Sequence, residues 1–327
     1  MAAPLIKELG EQGILKLIAP FCASGIVGDD GAVIQVNQGH QLVVTTDVLV
    51  DGVHFSDRTT PPQSVGYRAA AANLSDLAAM GAKPLGITVG LSLPGDTTIA
   101  WVKELYRGLQ DCLSQFDTPI IGGDITRSSV ATVAITALGE VTPQQVIKRS
   151  AAKIGDAILV TGYHGRSRGG LELLLTDKSD SKYRELIEAH QHPQPRLDVI
   201  KILREIAPDA SVGGMDSSDG LGDAVAQICR CSNLGAEIDF AQIPVALALA
   251  ELQNDYPITE WILDGGEDFE LVLALDRFLA QKLLARLGEG AAIIGKITQN
   301  RELVINYGDR SEYRSISDLS AGFQHFG

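Results

Sequence analysis

A chain of 327 residues is too long for one small core, so two domains are the natural expectation. An apolar fraction of 45% with 21% charged residues belongs to a globular protein and argues against wholesale disorder. The formal net charge of −14 argues against a non-specific grip on nucleic acid or an anionic membrane, although a bound cation can reverse the sign locally. Cys22, Cys112, Cys229 and Cys231 form no Cys-x-x-Cys pair and no disulfide framework. No basic stretch precedes an apolar leader, and no apolar run approaches 18 residues, so a cytoplasmic location is expected.

In chain order, residues 3–20 read as a short amphipathic helix. Residues 32–36 and 42–50 read as strands rich in β-branched side chains. Residues 64–81 read as an alanine-rich helix stopped by Gly81, with Pro84 just beyond. A strand over 85–93, a helix over 98–116, a short buried strand over 119–121 and a strand over 130–139 follow. The pattern breaks across 141–156, where Pro143, Lys148, Arg149, Lys153 and Gly155 mark a domain boundary. A second α/β stretch follows. Its strand over 157–161 enters a glycine-rich loop over 162–170, with a helix from about 170 and another over 196–206. Asp216–Gly220 opens a helix over 221–231, and strands are expected over 236–240, 270–275, 292–295 and 303–305.

Six short segments carry the chemistry, each at the end of an apolar run: Gly28-Asp29-Asp30-Gly31, Thr45-Thr46-Asp47, Asn73-Leu74-Ser75-Asp76, Gly122-Gly123-Asp124, Asp216-Ser217-Ser218-Asp219-Gly220 and Gly265-Gly266-Glu267-Asp268. Two unit charges about 4 Å apart repel by roughly 4 kcal/mol at an effective dielectric of 20, so carboxylates brought together require a cation. Oxygen ligands with no His/Cys set point to magnesium or calcium rather than zinc. Glycines allow turns that aim N–H groups at an anion, and carboxylates beside such turns suggest a nucleotide site. Each segment also has an ordinary reading. Asp-Gly pairs make turns, Asp76 suits a solvated helix face, Ser218 or Asp219 suits a helix N-cap, His54 suits a loop, and Arg149 suits a linker. Their combination favours function. The Walker-like Gly290–Lys296 spacing is discounted, because Ile297 replaces Ser/Thr and the interior reads as a strand. No Rossmann, His-Glu-x-x-His or Gly-x-Ser-x-Gly element is present.

Taken in order, these segments resemble the thiamine-monophosphate kinase family of the aminoimidazole ribonucleotide synthetase-like superfamily. Among the diagnostic stretches are Thr46-Asp47 followed by His54-Phe55, Asn73–Ala82, Ile121–Arg127, Ser218–Leu221 and Gly265–Leu271, and the resemblance runs on to Gly322–Phe326. It implies a two-domain α/β chain. The N-terminal domain, 1–145, would bind ATP and magnesium and dimerise by pairing its sheet into a β-barrel. The C-terminal domain, 146–327, a mixed sheet with helices, would complete the active site. It further implies a homodimer that uses ATP to phosphorylate thiamine phosphate to thiamine diphosphate. Carried over position by position, Asp30, Thr45, Thr46, Asp47, Asp76, Asp124, Asp216 and Asp219 would hold several magnesium ions. Tyr106, Gly123, Asp124, Arg149 and Ser218 would contact ATP, and His54, Glu267 and Phe323 the thiamine phosphate, with Asp47, Asp124 and Arg149 central to catalysis. Gly31 and Ser217 depart from the family, which has a small side chain at the first position and an aliphatic residue at the second.

The terminal phosphate of thiamine phosphate is already largely ionised near pH 7, so an in-line attack on ATP needs no strong base. The difficulty is bringing two polyanions together, which a carboxylate-held set of cations relieves without a covalent phosphoenzyme. Alternatives are another ATP-using enzyme of the superfamily, aminoimidazole ribonucleotide synthetase or selenophosphate synthetase, or a non-catalytic nucleotide-binding regulator. The glycine-cysteine-lysine pattern expected of a selenophosphate synthetase is missing near Cys22.

Overall fold

The computed structural model describes residues 5–24, 34–178 and 180–316. Asp30 and Phe323, with the segments around them, lie outside the described residues. The chain divides into two compact units. The first comprises Met1–Leu77 with Lys83–Val141, and the second Ala78–Ala82 with Thr142–Gly327.

The first unit runs α1 (Ile6–Ile18), β1 (Gln41–Val50), α2 (Pro62–Ala79), β2 (Lys83–Leu93), α3 (Ile99–Leu113), β3 (Ile120–Arg127) and β4 (Thr132–Val141), with the end of α2 assigned to the second unit. The strands form an open sheet in the order β1-β4-β2-β3, antiparallel except for the parallel β2/β3 pair. One face is buried and carries Ile87, Val89, Leu91, Val133 and Ile135. α2 is buried almost all round, at Ala69, Ala70, Ala71, Leu74 and Leu77, which accounts for its alanine content. Small residues also let α2 and α3 approach backbone to backbone. A Cβ at Gly66 would overlap the Leu105 carbonyl, and one at Gly108 the Gln63 carbonyl. The other face of the sheet carries small or polar residues (Thr88, Gly90, Ala134, Thr136), with Leu42, Val44 and Val48 of β1 exposed at 47%, 56% and 44%.

Thr45-Thr46-Asp47 lies inside β1, as the strand expected over 42–50 implies, and pairing with β4 continues to Val50. Two expectations shift. Gly122-Gly123-Asp124 is not a turn. Parallel pairing with β2 extends β3 through it to Arg127, and a Cβ at Gly123 would overlap the Val89 carbonyl. Residues 34–36, read as part of a strand, form none.

The second unit runs β5 (Ala157–Val160), α4 (Arg166–Leu175), α5 (Arg184–Gln191), α6 (Leu197–Ile206), β6 (Gly213–Asp216), α7 (Leu221–Ser232), β7 (Gly235–Asp239), α8 (Leu247–Ala250), α9 (Ile258–Asp264), β8 (Leu271–Leu275), α10 (Arg277–Leu284), β9 (Ala292–Thr298), β10 (Leu303–Asn306) and β11 (Ser311–Arg314). Its mixed sheet has the order β11-β10-β7-β9-β5-β8-β6. Ile158, Val160, Val272, Ile238 and Ile294 from the strands join Leu173, Leu221, Val225 and Leu263 from the helices in one core. α4 starts four residues before its expected position, because the cap described below is a long-range one.

Candidate functional site

In the first unit, helix and strand periodicities meet at the predicted oxygen ligands. Thr45 and Asp47 are two apart on β1 and share the face that meets α2, while Asn73 and Asp76 are three apart on α2 and share one side. The Asp47 amide donates to Asn73 Oδ1 at 3.2 Å, and the Thr45 hydroxyl donates to Asp76 Oδ2. Asn73 is itself buried and steadied by donating from Nδ2 to the Ala69 carbonyl at 3.0 Å. Thr46 points to the opposite face, where its hydroxyl lies 2.9 Å from that of Thr136. His54 follows β1, and its Nδ1 accepts from the Val50 amide at 3.1 Å, leaving the ring proton on Nε2.

Asp124 does not join this group. It stands in β3, at the sheet edge opposite β1, in the cross-strand row Val48–Ala134–Gly90–Asp124. Asp47 belongs to the neighbouring row Asp47–Ile135–Val89–Gly123, so the two carboxylates project from opposite faces. Tyr106 is 2% exposed, with its ring 5.6 Å from that of Phe21, and burial raises its hydroxyl pKa above the ordinary value. Among the described residues no three His, Cys, Asp or Glu side chains are grouped so as to hold a metal ion by themselves.

In the second unit three loops meet at one end of the sheet. β6 pairs with β8 so that Asp216 faces Leu271, and β5 pairs with β8 so that Val160 faces Val272. This places loops 217–220, 265–270 and 161–165 side by side. Asp216 is buried and Ser218 Oγ lies 3.3 Å from its Oδ1. Ser217 N–H donates to the Glu270 carbonyl at 2.8 Å, and Glu267 N–H donates to the Ser218 carbonyl at 2.8 Å. Asp219 is exposed ahead of Gly220, whose φ of 113° turns the chain into α7. Arg149 lies outside these loops. Its guanidinium donates to Gln227 Oε1 at 2.6 Å on α7, and Gln227 is held in turn by Asp223 at 2.6 Å.

Sequence reasoning left out the buried polar framework behind these loops. Glu270 accepts the Thr161 hydroxyl at 2.7 Å and pairs with Arg196. Burial opposes the Arg196 charge, but Glu270 and Asp198 outweigh it and raise its pKa. Asp268 accepts from the Gly165 and Ser167 amides. Burial pushes its carboxyl up to about 7, although those two amides and Arg166 favour the charged form. His190, also buried, has Nδ1 3.1 Å from Ser167 Oγ and 3.9 Å from Glu267 Oε2. The only signal for this group was Glu-Asp-Phe-Glu itself, four residues with three acids running into an apolar strand.

Residues 28–141 match the AIR synthase related protein N-terminal domain, and residues 153–308 match the corresponding C-terminal domain. A thiamine-monophosphate kinase of Synechococcus elongatus is 51% identical over 326 residues, covering 98% of each chain. The crystal structure of a thiamine-monophosphate kinase from Stenotrophomonas maltophilia superposes with a TM-score of 0.77 at 32% identity, covering 90% of this chain and 93% of that one. A second solved structure, described as "AaThiL complexed with AMPPCP and TMP", superposes with a TM-score of 0.75 at 30% identity, covering 94% and 98%. The chain therefore belongs to the AIR synthase related family and, within it, to the thiamine-monophosphate kinases.

Proposed function

We propose that this chain uses ATP to phosphorylate thiamine phosphate to thiamine diphosphate by direct in-line transfer. The observation that carries the reading is the near-full-length identity to a thiamine-monophosphate kinase. A solved relative holding AMPPCP and TMP supports the pairing of an ATP-like ligand with TMP.

A terminal phosphate oxygen of thiamine phosphate attacks the γ-phosphorus of ATP, and the bond to the β–γ bridging oxygen breaks with its electrons leaving on ADP. Carboxylates and threonine hydroxyls with no histidine or cysteine among them suit magnesium, so Thr45, Thr46, Asp47, Asp76, Asp124, Asp216, Asp219 and Asp30 would hold several ions, Thr46 and Asp124 from the sheet face opposite to Thr45, Asp47 and Asp76. Magnesium, when bound, supplies the charge that lets two polyanions approach. Arg149, exposed and oriented by Gln227, would meet nucleotide phosphate, with Gly123, Ser218 and Tyr106 as further nucleotide contacts. His54 would offer its Nε2 proton to the substrate phosphate. Glu267 would face the cationic thiazolium, and Phe323 would stack on the ring system.

The finer organisation belongs to the same proposal: domains over 1–145 and 146–327, a cytoplasmic location and a homodimer. Among the described residues no helix is long and apolar enough to cross a membrane. β1 is an edge strand whose outward face exposes Leu42, Val44 and Val48, and small residues continue across that face of the sheet. Pairing this sheet with that of a second copy into a barrel would cover both the edge and the apolar stripe.

A coupled ADP-release assay with thiamine phosphate, thiamine and other phosphates tests the reading. Turnover is expected with thiamine phosphate alone, and Asp47→Asn or Asp124→Asn is expected to fold yet lose about a hundredfold or more of it. ATP binding without acceptor-dependent ADP would favour a regulator instead.

A further inference from the structure

Asp268 occupies a fixed place for which the reaction above assigns no role. α4 begins at Arg166 behind Gly165, whose φ of 83° and missing side chain leave the helix without a local cap. First-turn amides need acceptors. Asp268 supplies them from the far side of the sequence, accepting from Gly165 N–H at 2.6 Å through Oδ2 and from Ser167 N–H at 2.8 Å through Oδ1. Glu270 is anchored inside as well, by Thr161 and Arg196. On the other side, the Glu267 N–H is tied to the Ser218 carbonyl.

Between these anchors Glu267 and Phe269 both adopt left-handed backbone conformations, with φ of 67° and 52°. Such conformations are unfavourable for a residue with a side chain and persist only where the surroundings over-determine them. With Asp268 and Glu270 turned inward, Glu267 is turned outward, its side chain 34% exposed and 3.9 Å from the buried His190. Ser167 joins the two halves, since its amide holds Asp268 and its hydroxyl touches His190.

We infer that Asp268 is a positioning residue: by capping α4 it locks residues 265–270 in the conformation that presents Glu267 to substrate beside His190. The kinetic consequence rests on the proposed role of Glu267 as a thiamine phosphate contact, whereas the conformational one does not.

Asp268→Asn preserves size, but its NH2 group cannot accept a backbone N–H. Two measurements on the full chain decide the matter. Native-state hydrogen exchange is expected to quicken about tenfold or more in segments 163–168 and 265–270 and to stay unchanged elsewhere. The KM for thiamine phosphate is expected to rise about tenfold, with the KM for ATP and kcat moving less than about twofold. In a Glu267→Gln background the same change should add less than about twofold to KM, because Asp268 acts through Glu267. Unchanged exchange at 265–270, or an equal KM penalty in both backgrounds, overturns the inference. Glu267→Gln with an unaltered KM would instead remove the substrate role of Glu267, leaving the exchange result to decide Asp268. Should Asp268→Asn not fold, Asp268→Glu, which keeps the charge but displaces it, is expected to show the same exchange pattern to a smaller extent.

Discussion

Single residues in the loop end of the second unit show how much chemistry a buried polar group carries. His164, fully buried in the loop between β5 and α4, has its pKa pushed down to about 4 from 6.5 by burial, with the neighbouring Arg166 charge acting in the same direction. Above pH 6.5 the imidazole is neutral in both folded and unfolded chains. As pH falls from 6.5 through about 4, the unfolded chain takes up a proton that the fold refuses, so stability is lost across that window. The shift corresponds to about 3 kcal/mol. His164→Gln cannot titrate, so urea unfolding at pH 7, 5.5 and 4.5 should show a stability loss on acidification smaller than in the parent by up to that amount. An identical pH slope in the two proteins would show that His164 contributes nothing to acid sensitivity. At this scale the acidic residues were legible in the sequence because carboxylates beside glycine are rare in apolar runs. Asp268 was legible only as a member of a motif, since its acceptor role depends on amides about a hundred residues away.

Secondary elements were readable where they are long and periodic. β1, α2, β2 and α3 stand within a few residues of their expected bounds, and α7 begins at Leu221 behind the Asp216–Gly220 turn as expected. α5, α9 and α10, of eight, seven and eight residues, are shorter than the window over which helical periodicity shows. β6 reads Gly-Gly-Met-Asp, a poor strand by propensity, and becomes one because it pairs with β8 along the sheet edge. Close approach between elements also carries its own cost. Gly108→Ala would place a methyl group on the Gln63 carbonyl at the α2–α3 crossing, and is expected to destabilise the protein toward the upper end of ~1–3 kcal/mol. Chemical denaturation reads this directly. A loss below about half a kcal/mol would mean that the helices separate without penalty.

At the scale of the whole molecule, an open four-stranded sheet with an apolar edge strand is an incomplete object. Proteins manage such edges by covering or charging them, and among the described residues the outward row of β1, Leu42, Val44, Thr46 and Val48, is apolar or neutral and partly exposed. The proposed homodimer therefore predicts that Val44→Lys with Val48→Lys halves the mass seen by light scattering and lowers phosphoryl transfer. A dimer of unchanged stability would place the interface elsewhere. The sequence by itself determined the two-domain α/β class, the oxygen-only character of the candidate ligands and, through the order of its motifs, the family, because composition, local periodicity and motif order are properties of the chain. Only the tertiary structure decided that Asp76 meets Thr45 while Asp124 projects from the opposite face of the sheet, and that Asp268 caps a helix it precedes nowhere in the chain. Those outcomes depend on strand register and on hydrogen bonds between distant segments, and no local pattern of residues encodes either.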